Sequence, residues 1–195
     1  MQGQPLLSQV CKIINIFHTS NIAHSCQLIM KYLKITSPDI ENGPGCRVTL
    51  WLPGCSHNCP GCHNKWTHDY NQGQEFTQDT FDELCSILDK PYIKGLTISG
   101  GDPLDQNDEV LADLCQLVFD IKFNYPSKDI WIYTGYRVED LKGIQEDILK
   151  YVDVVVDGPF EIDKRDTTLA FRGSTNQRII KLDTPHNYCN ILKFE

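Results

Sequence analysis

Three cysteines, Cys55, Cys59 and Cys62, fall at spacings of four and three within Pro53-Gly54-Cys55-Ser56-His57-Asn58-Cys59-Pro60-Gly61-Cys62-His63-Asn64, directly after an apolar run. Thiolates are soft ligands that select iron–sulfur clusters, zinc or Cu(I), and a four-iron cluster is normally held by four of them. Three protein ligands leave one iron open to a substrate or cofactor. An open position marks a chemical site rather than a structural one, by the logic that separates catalytic from structural zinc. On residues alone other readings stand beside the cluster. Zinc could be held by Cys55, Cys59, Cys62 and either His57 or His63. Cys59-Pro60-Gly61-Cys62-His63 also matches a c-type haem attachment pattern, which requires an exported protein. Unliganded loop thiols are the plainest alternative, but packing gives no reason to crowd three cysteines among Pro and Gly.

The rest of the 195-residue chain reads as scaffold for that loop. Its length suits one domain with a sizeable core, and 41% hydrophobic with 23% charged residues is ordinary globular composition. A formal net charge of −8 opposes nucleic-acid binding, which depends on Lys and Arg neutralising phosphates. Nine unevenly spread cysteines do not form the pattern of a disulfide-stapled secreted scaffold, so a reducing, cytoplasmic setting is expected. Cys85 and Cys115 read as small buried hydrophobes of helices. Residues 1–29 are interrupted by Lys12, Asn15, His18, Asn21 and His24, too polar for a membrane span of about 20 residues, and they lack the basic start and cleavage site of a signal peptide. We read 1–29 as an extension, with the functional unit 30–195 starting at Met30.

Strands are expected at 46–52, 93–99, 129–134 and 152–156, from β-branched and aromatic runs that end in Gly or Pro. Helices are expected over 77–90 behind an N-capping Thr77, from Asn107 to about 124, and through Val138, Leu141, Ile144 and Ile148. Continuous apolar strands alternating with helices give right-handed parallel βαβ units, buried on both faces. Four such units are too few for a closed eight-stranded barrel of about 250 residues. The fold class is therefore α/β, a partial, splayed parallel (βα) barrel, shortened. The three-cysteine loop then lies at the carboxyl end of the first core strand, where α/β architectures place ligands. Gly100-Gly101-Asp102 ends the second strand, where glycines let backbone approach a ligand closely. The polar tail from Glu161 reads equally as a solvated cap over the barrel bottom or as a grip on a partner.

Several stretches in this order resemble one family: Asn42-Gly43-Pro44-Gly45, the Cys55, Cys59 and Cys62 loop, Ser99-Gly100-Gly101-Asp102-Pro103-Leu104, Asp129-Ile130-Trp131-Ile132-Tyr133-Thr134-Gly135-Tyr136, Val156-Asp157-Gly158 and Arg172-Gly173-Ser174-Thr175-Asn176-Gln177. The family is that of the radical S-adenosylmethionine (SAM) activating proteins of anaerobic ribonucleoside-triphosphate reductase, and the resemblance covers residues 30–195. His63 stands where many members carry an aromatic residue.

The resemblance implies an oxidoreductase-class activase with a [4Fe-4S] cluster on Cys55, Cys59 and Cys62 and SAM on the open iron. It places Gly61, Cys62 and His63 against the cofactor and the backbone of Gly100, Gly101 and Asp102 at its amino group, with Thr134 and Asp157 as further pocket residues. No catalytic residue beyond the cluster ligands is implied. Reductive cleavage of SAM would give a 5′-deoxyadenosyl radical that takes hydrogen from a glycine of the partner reductase. A flavodoxin- or ferredoxin-type donor would supply the electron, because cluster potentials span about −700 to +450 mV and this step needs the reducing end. Arg172 and Asn176 are candidates for docking the partner. Activation of another glycyl-radical enzyme, of the pyruvate formate-lyase type, and a non-catalytic zinc-binding module are the alternatives.

Overall fold

A computed structural model describes residues 28–183 and 187–191. The strands are β1 (Lys31–Tyr32), β2 (Lys34–Asp39), β3 (Cys46–Leu52), β4 (Gln74–Glu75), β5 (Ile93–Gly100), β6 (Asp129–Tyr133), β7 (Val154–Asp157), β8 (Arg178–Asp183) and β9 (Asn187–Ile191). The helices are α1 (Gln78–Leu88), α2 (Asp108–Asn124) and α3 (Ile144–Leu149). A seven-stranded sheet runs β2-β3-β5-β6-β7-β8-β9. Its centre, β3-β5-β6-β7, is parallel, and antiparallel strands flank it on both sides. The four parallel strands lie side by side in chain order. Right-handed crossovers that never reverse direction place their helices on a single face.

Alternation along the strands separates that face from the other. Val48, Leu50 and Leu52 of β3, Leu96 and Ile98 of β5, Ile130 and Ile132 of β6 and Val155 of β7 join one core with Leu84, Leu88, Leu114, Val118, Ile121 and Ile148 from the helices. On the opposite face, Trp131, Val154, Val156 and Ile179 form a smaller apolar cluster. Beside it, β3 and β5 bury Arg47, Thr49, Thr97 and Ser99. The apolar character expected on both faces thus holds for β6 and β7 but not for β3 and β5. Arg47 is satisfied there by Thr97 Oγ1 (2.7 Å), the Leu96 carbonyl (2.9 Å) and Asp129 Oδ1 (2.5 Å), with its guanidinium 5.3 Å from the Trp131 ring centre.

Local sequence chemistry fixes the helix starts. Thr77 Oγ1 accepts from Thr80 N and Asn107 Oδ1 from Val110 N, each satisfying an otherwise orphaned donor. The expected third helix is shorter than its apolar spacing predicts. It divides into a 3-10 turn at Val138–Asp140 and α3, because Gly143 between them takes φ +60°, outside the helical region. The tail contributes a looped segment and the β8–β9 hairpin at the sheet edge. Residues 1–27, with Cys11 and Cys26, lie outside the described residues. Leu28 packs against the main core, and the Ile29 and Met30 N–H groups donate to Asp113 Oδ2 at 2.7 and 3.0 Å. Among the described residues no helix is long and apolar enough to cross a membrane.

Candidate functional site

All four parallel strands release their chain into one cleft of about 200 Å³ at their carboxyl ends. The turn after β3 supplies Cys55, His57, Cys59, Cys62 and His63; β5 and its turn supply Ser99, Gly100, Gly101 and Asp102; β6 and its turn supply Tyr133, Thr134 and Gly135. Gly158 and Phe160 follow β7, and Arg172, Gly173 and Gln177 close the far wall. Most residues singled out in the sequence therefore meet at one place. Gly61 lies in the same loop at φ +73°, with Ile162 against it, and does not line the cleft. Asp157 is not brought into the cleft either. Its buried carboxylate accepts from Arg137 Nη1 (3.3 Å), Arg178 Nε (2.8 Å) and Val138 N (3.0 Å).

Backbone hydrogen bonds lock the first two loops together. Gly101 N donates to the Leu52 carbonyl (2.9 Å) and Asp102 N to the Gly54 carbonyl (2.7 Å), while Gln106 Nε2 reaches the Pro53 carbonyl (2.9 Å). The glycines are required for this contact. A Cβ on Gly100 would stand 2.2 Å from the Leu52 carbonyl oxygen, and one on Gly101 would stand 2.1 Å from that of Gly54. The close approach they permit is to the base of the cysteine loop itself.

Asp102 is the buried centre of the arrangement. Its Oδ2 accepts from Thr134 Oγ1 (3.0 Å) and Gly135 N (2.8 Å) and lies 2.8 Å from His57 Nε2; its Oδ1 accepts from Leu104 N (2.9 Å). Its side chain is committed to protein groups, and the Thr134 hydroxyl is committed to Asp102. The hydrogen bond to Asp102 raises the His57 pKa against the opposing effect of burial. The His57 ring sits edge-on to Tyr136, 4.6 Å between centres, so the histidine between the first two cysteines is held on two sides.

Cys55, Cys59 and Cys62 are free thiols, each partly exposed to the cleft. Burial pushes the Cys55 thiol up to about 11 and the Cys62 thiol upward, with Asp102 and Asp105 adding to the effect at Cys55. A bound metal reverses that balance, since a coordinating thiol is deprotonated outright. Among the described residues no three His, Cys, Asp or Glu side chains are grouped as ligands of a single ion. Three soft donors sharing one cleft suit an iron–sulfur cluster, which thiolates select. The residues present fit that group.

The Gly158–Gln177 segment forms a wall at the carboxyl ends of the strands, not a cap at the opposite end. Gln177 holds it: its Oε1 accepts from Gly173 N (2.9 Å) and Ser174 N (3.2 Å), and its Nε2 donates to the Gly158 carbonyl (3.2 Å). Arg172 lines the cleft and donates to the Gln177 carbonyl (3.0 Å). Asn176 turns inward, donating to the Pro159 carbonyl (2.8 Å), and its Oδ1 is buried. The sequence reading passed over Asn42, Phe160, Gln177 and the His57–Asp102 pair. A histidine between two metal-type cysteines was a usable signal for a second role, but its partner 45 residues away was not.

Residues 41–180 match the family described as a 4Fe-4S single cluster domain. The anaerobic ribonucleoside-triphosphate reductase-activating protein of Enterobacteria phage T4 is 49% identical over 151 residues, covering 77% of this chain and 93% of the relative. The protein of the same name from Escherichia coli (strain K12) is 43% identical over 150 residues, covering 76% and 96%. That from Vibrio cholerae is 41% identical over 152 residues, covering 77% and 97%. With three thiols converging where four parallel strands end, and with relatives of this similarity along nearly their whole length, the chain belongs to the family of anaerobic ribonucleoside-triphosphate reductase-activating proteins.

Proposed function

We propose that this chain is a radical SAM activase that installs a glycyl radical on an anaerobic ribonucleoside-triphosphate reductase. The observation that carries the reading is the convergence of Cys55, Cys59 and Cys62 on one cleft whose other walls come from the turns after β5, β6 and β7. Those cysteines would hold a [4Fe-4S] cluster. When bound, the reduced cluster and SAM supply one-electron cleavage of a sulfonium C–S bond, giving methionine and a carbon radical able to take hydrogen from a glycine α-carbon. The protein's own part is to position these groups and exclude competing reactions. Asp102 and Thr134 act by holding His57 and the Gly135 turn beside the cysteines. Arg172 offers a cation at the cleft wall, and His63 flanks the last thiol. The parallel strands in chain order with one-sided crossovers agree with an incomplete, splayed (βα) barrel, whose missing side admits a folded protein as substrate.

The test is anaerobic. The cluster is reconstituted, dithionite and SAM are added, and 5′-deoxyadenosine is measured with and without the cognate reductase. Cleavage accompanied by a glycine-centred EPR doublet on the reductase is the expected result. Cleavage without that doublet would redirect the reading to another glycyl-radical enzyme, and no cleavage by a fully loaded cluster would remove the radical SAM assignment.

A further inference from the structure

Asp105 lies just beyond the Gly-Gly-Asp turn and outside the lining of the cleft, yet three donors from the β3–β4 and β6–β7 connections converge on its carboxylate. Its Oδ2 accepts from the Ser56 backbone N–H (2.5 Å) and the Tyr70 hydroxyl (2.8 Å), and its Oδ1 accepts from the Tyr136 hydroxyl (2.9 Å). Burial disfavours the charged form, but the bonds from Ser56, Tyr70 and Tyr136 outweigh it and hold the carboxyl below its usual range. Both tyrosines have a second task at the cysteine loop. Tyr70 lies over Gly54, where a Cβ would meet its ring at 2.2 Å, and Tyr136 lies against His57.

Ser56 directly follows Cys55, so the bond to Asp105 fixes which way the chain leaves the first thiol. Asn58 has φ +47°, a left-handed conformation that turns the chain sharply between the first two cysteines. The Ser56 N–H is thus tied by a carboxylate from outside the cleft, in a loop that bends again two residues later. Hydrogen bonds to cluster sulfurs and the partners that orient metal ligands govern both retention and electronic properties.

We propose that Asp105 is a positioning residue for the cluster-holding loop: by binding the Ser56 N–H from behind, it fixes the backbone direction at Cys55 and so where that thiol stands in the cleft. The proposal rests on the cluster reading above and extends it to a residue that touches neither thiol nor cleft. Its content is the hydrogen bond, not the charge. An asparagine at 105 retains it, because its Oδ1 can accept from Ser56 and Tyr70 while its Nδ2 donates to the Tyr136 hydroxyl, which accepts as well as donates.

The experiment compares the reconstituted full chain with Asp105→Ala and Asp105→Asn, reading the EPR g-values of the reduced cluster and the rate at which iron passes to a chelator. Asp105→Ala is expected to alter the g-values and release iron about tenfold faster or more, the scale on which lost outer-shell partners weaken metal sites. Asp105→Asn is expected to restore both toward the wild type. Wild-type behaviour of Asp105→Ala overturns the proposal, as does equal damage in the two variants, which would assign the effect to charge. If Asp105→Ala does not fold, Asp105→Leu fills the same space without an acceptor for the Ser56 N–H. Accelerated iron release then supports the proposal and an unchanged rate overturns it. A wild-type chain that takes up no iron and sulfide overturns the cluster reading itself, before any variant is compared.

Discussion

Both Asp102 carboxylate oxygens accept from protein groups. Three groups crowd its Oδ2 and a fourth donates to Oδ1, so the carboxylate ties together the turns after β3, β5 and β6. Asp102→Asn turns one acceptor into a donor facing donors. The expected cost is about 1–3 kcal/mol of apo-protein stability, measurable by urea denaturation. At Gly101 the constraint is steric. Gly101→Ala drives a methyl group into the Gly54 carbonyl oxygen and is expected to cost about 1–3 kcal/mol, with a matching loss of bound iron after reconstitution. Each of Cys55→Ala, Cys59→Ala and Cys62→Ala is expected to abolish the visible absorption of a bound cluster. At this scale the sequence was readable wherever residue type alone carries chemistry, as in cysteine spacing or paired glycines. It was opaque wherever a role depends on a distant partner. His57 and Asp102, or Asp105 with Ser56, Tyr70 and Tyr136, meet only after three loops fold back onto one sheet edge.

Elements were legible in proportion to their apolar regularity. All four parallel strands were readable from their runs, and the first two helices from Thr77, Asn107 and the spacing of Leu84, Leu88, Leu111 and Leu114. The third helix was over-read because Val138 and Leu141 are buried, as helical spacing requires, without being helical throughout. β8 was missed because it follows a polar turn and pairs with its neighbour across an edge rather than through a crossover. Arg47 shows why strand β3 keeps a charge on a buried face. It bridges β3, β5 and β6 through Thr97, Leu96 and Asp129. Removing one partner of a buried pair leaves the other uncompensated, so Arg47→Ala is expected to cost about 3–5 kcal/mol, less the relief that water gives the partly exposed Asp129, read as a lowered urea midpoint.

Across the whole molecule, the far wall of the cleft is fastened to the sheet by charge. Arg178 at the start of β8 binds Glu139 through both guanidinium nitrogens (2.8 and 2.7 Å) and also holds Asp157 at the end of β7. The bond from Arg178 lowers the Glu139 pKa from 4.5 to about 2. A depressed carboxyl pKa contributes stability above the unfolded value and loses it as pH falls through the folded one. The difference in melting temperature between the apo wild type and Glu139→Gln is therefore expected to persist near neutrality, shrink below pH 4.5 and largely vanish by about pH 2. Circular dichroism melts across that range check it.

The cleft also has an order in time. Cys55, Cys59 and Cys62 leave the ribosome about a hundred residues before Phe160, Arg172 and Gln177, the residues that form the opposite wall. A growing chain presents its three thiols first to the turns after β5 and β6, and the cleft is enclosed only once Gln177 has been added. A chain halted before Phe160 would leave the three thiols open on that side to any stray metal or oxidant.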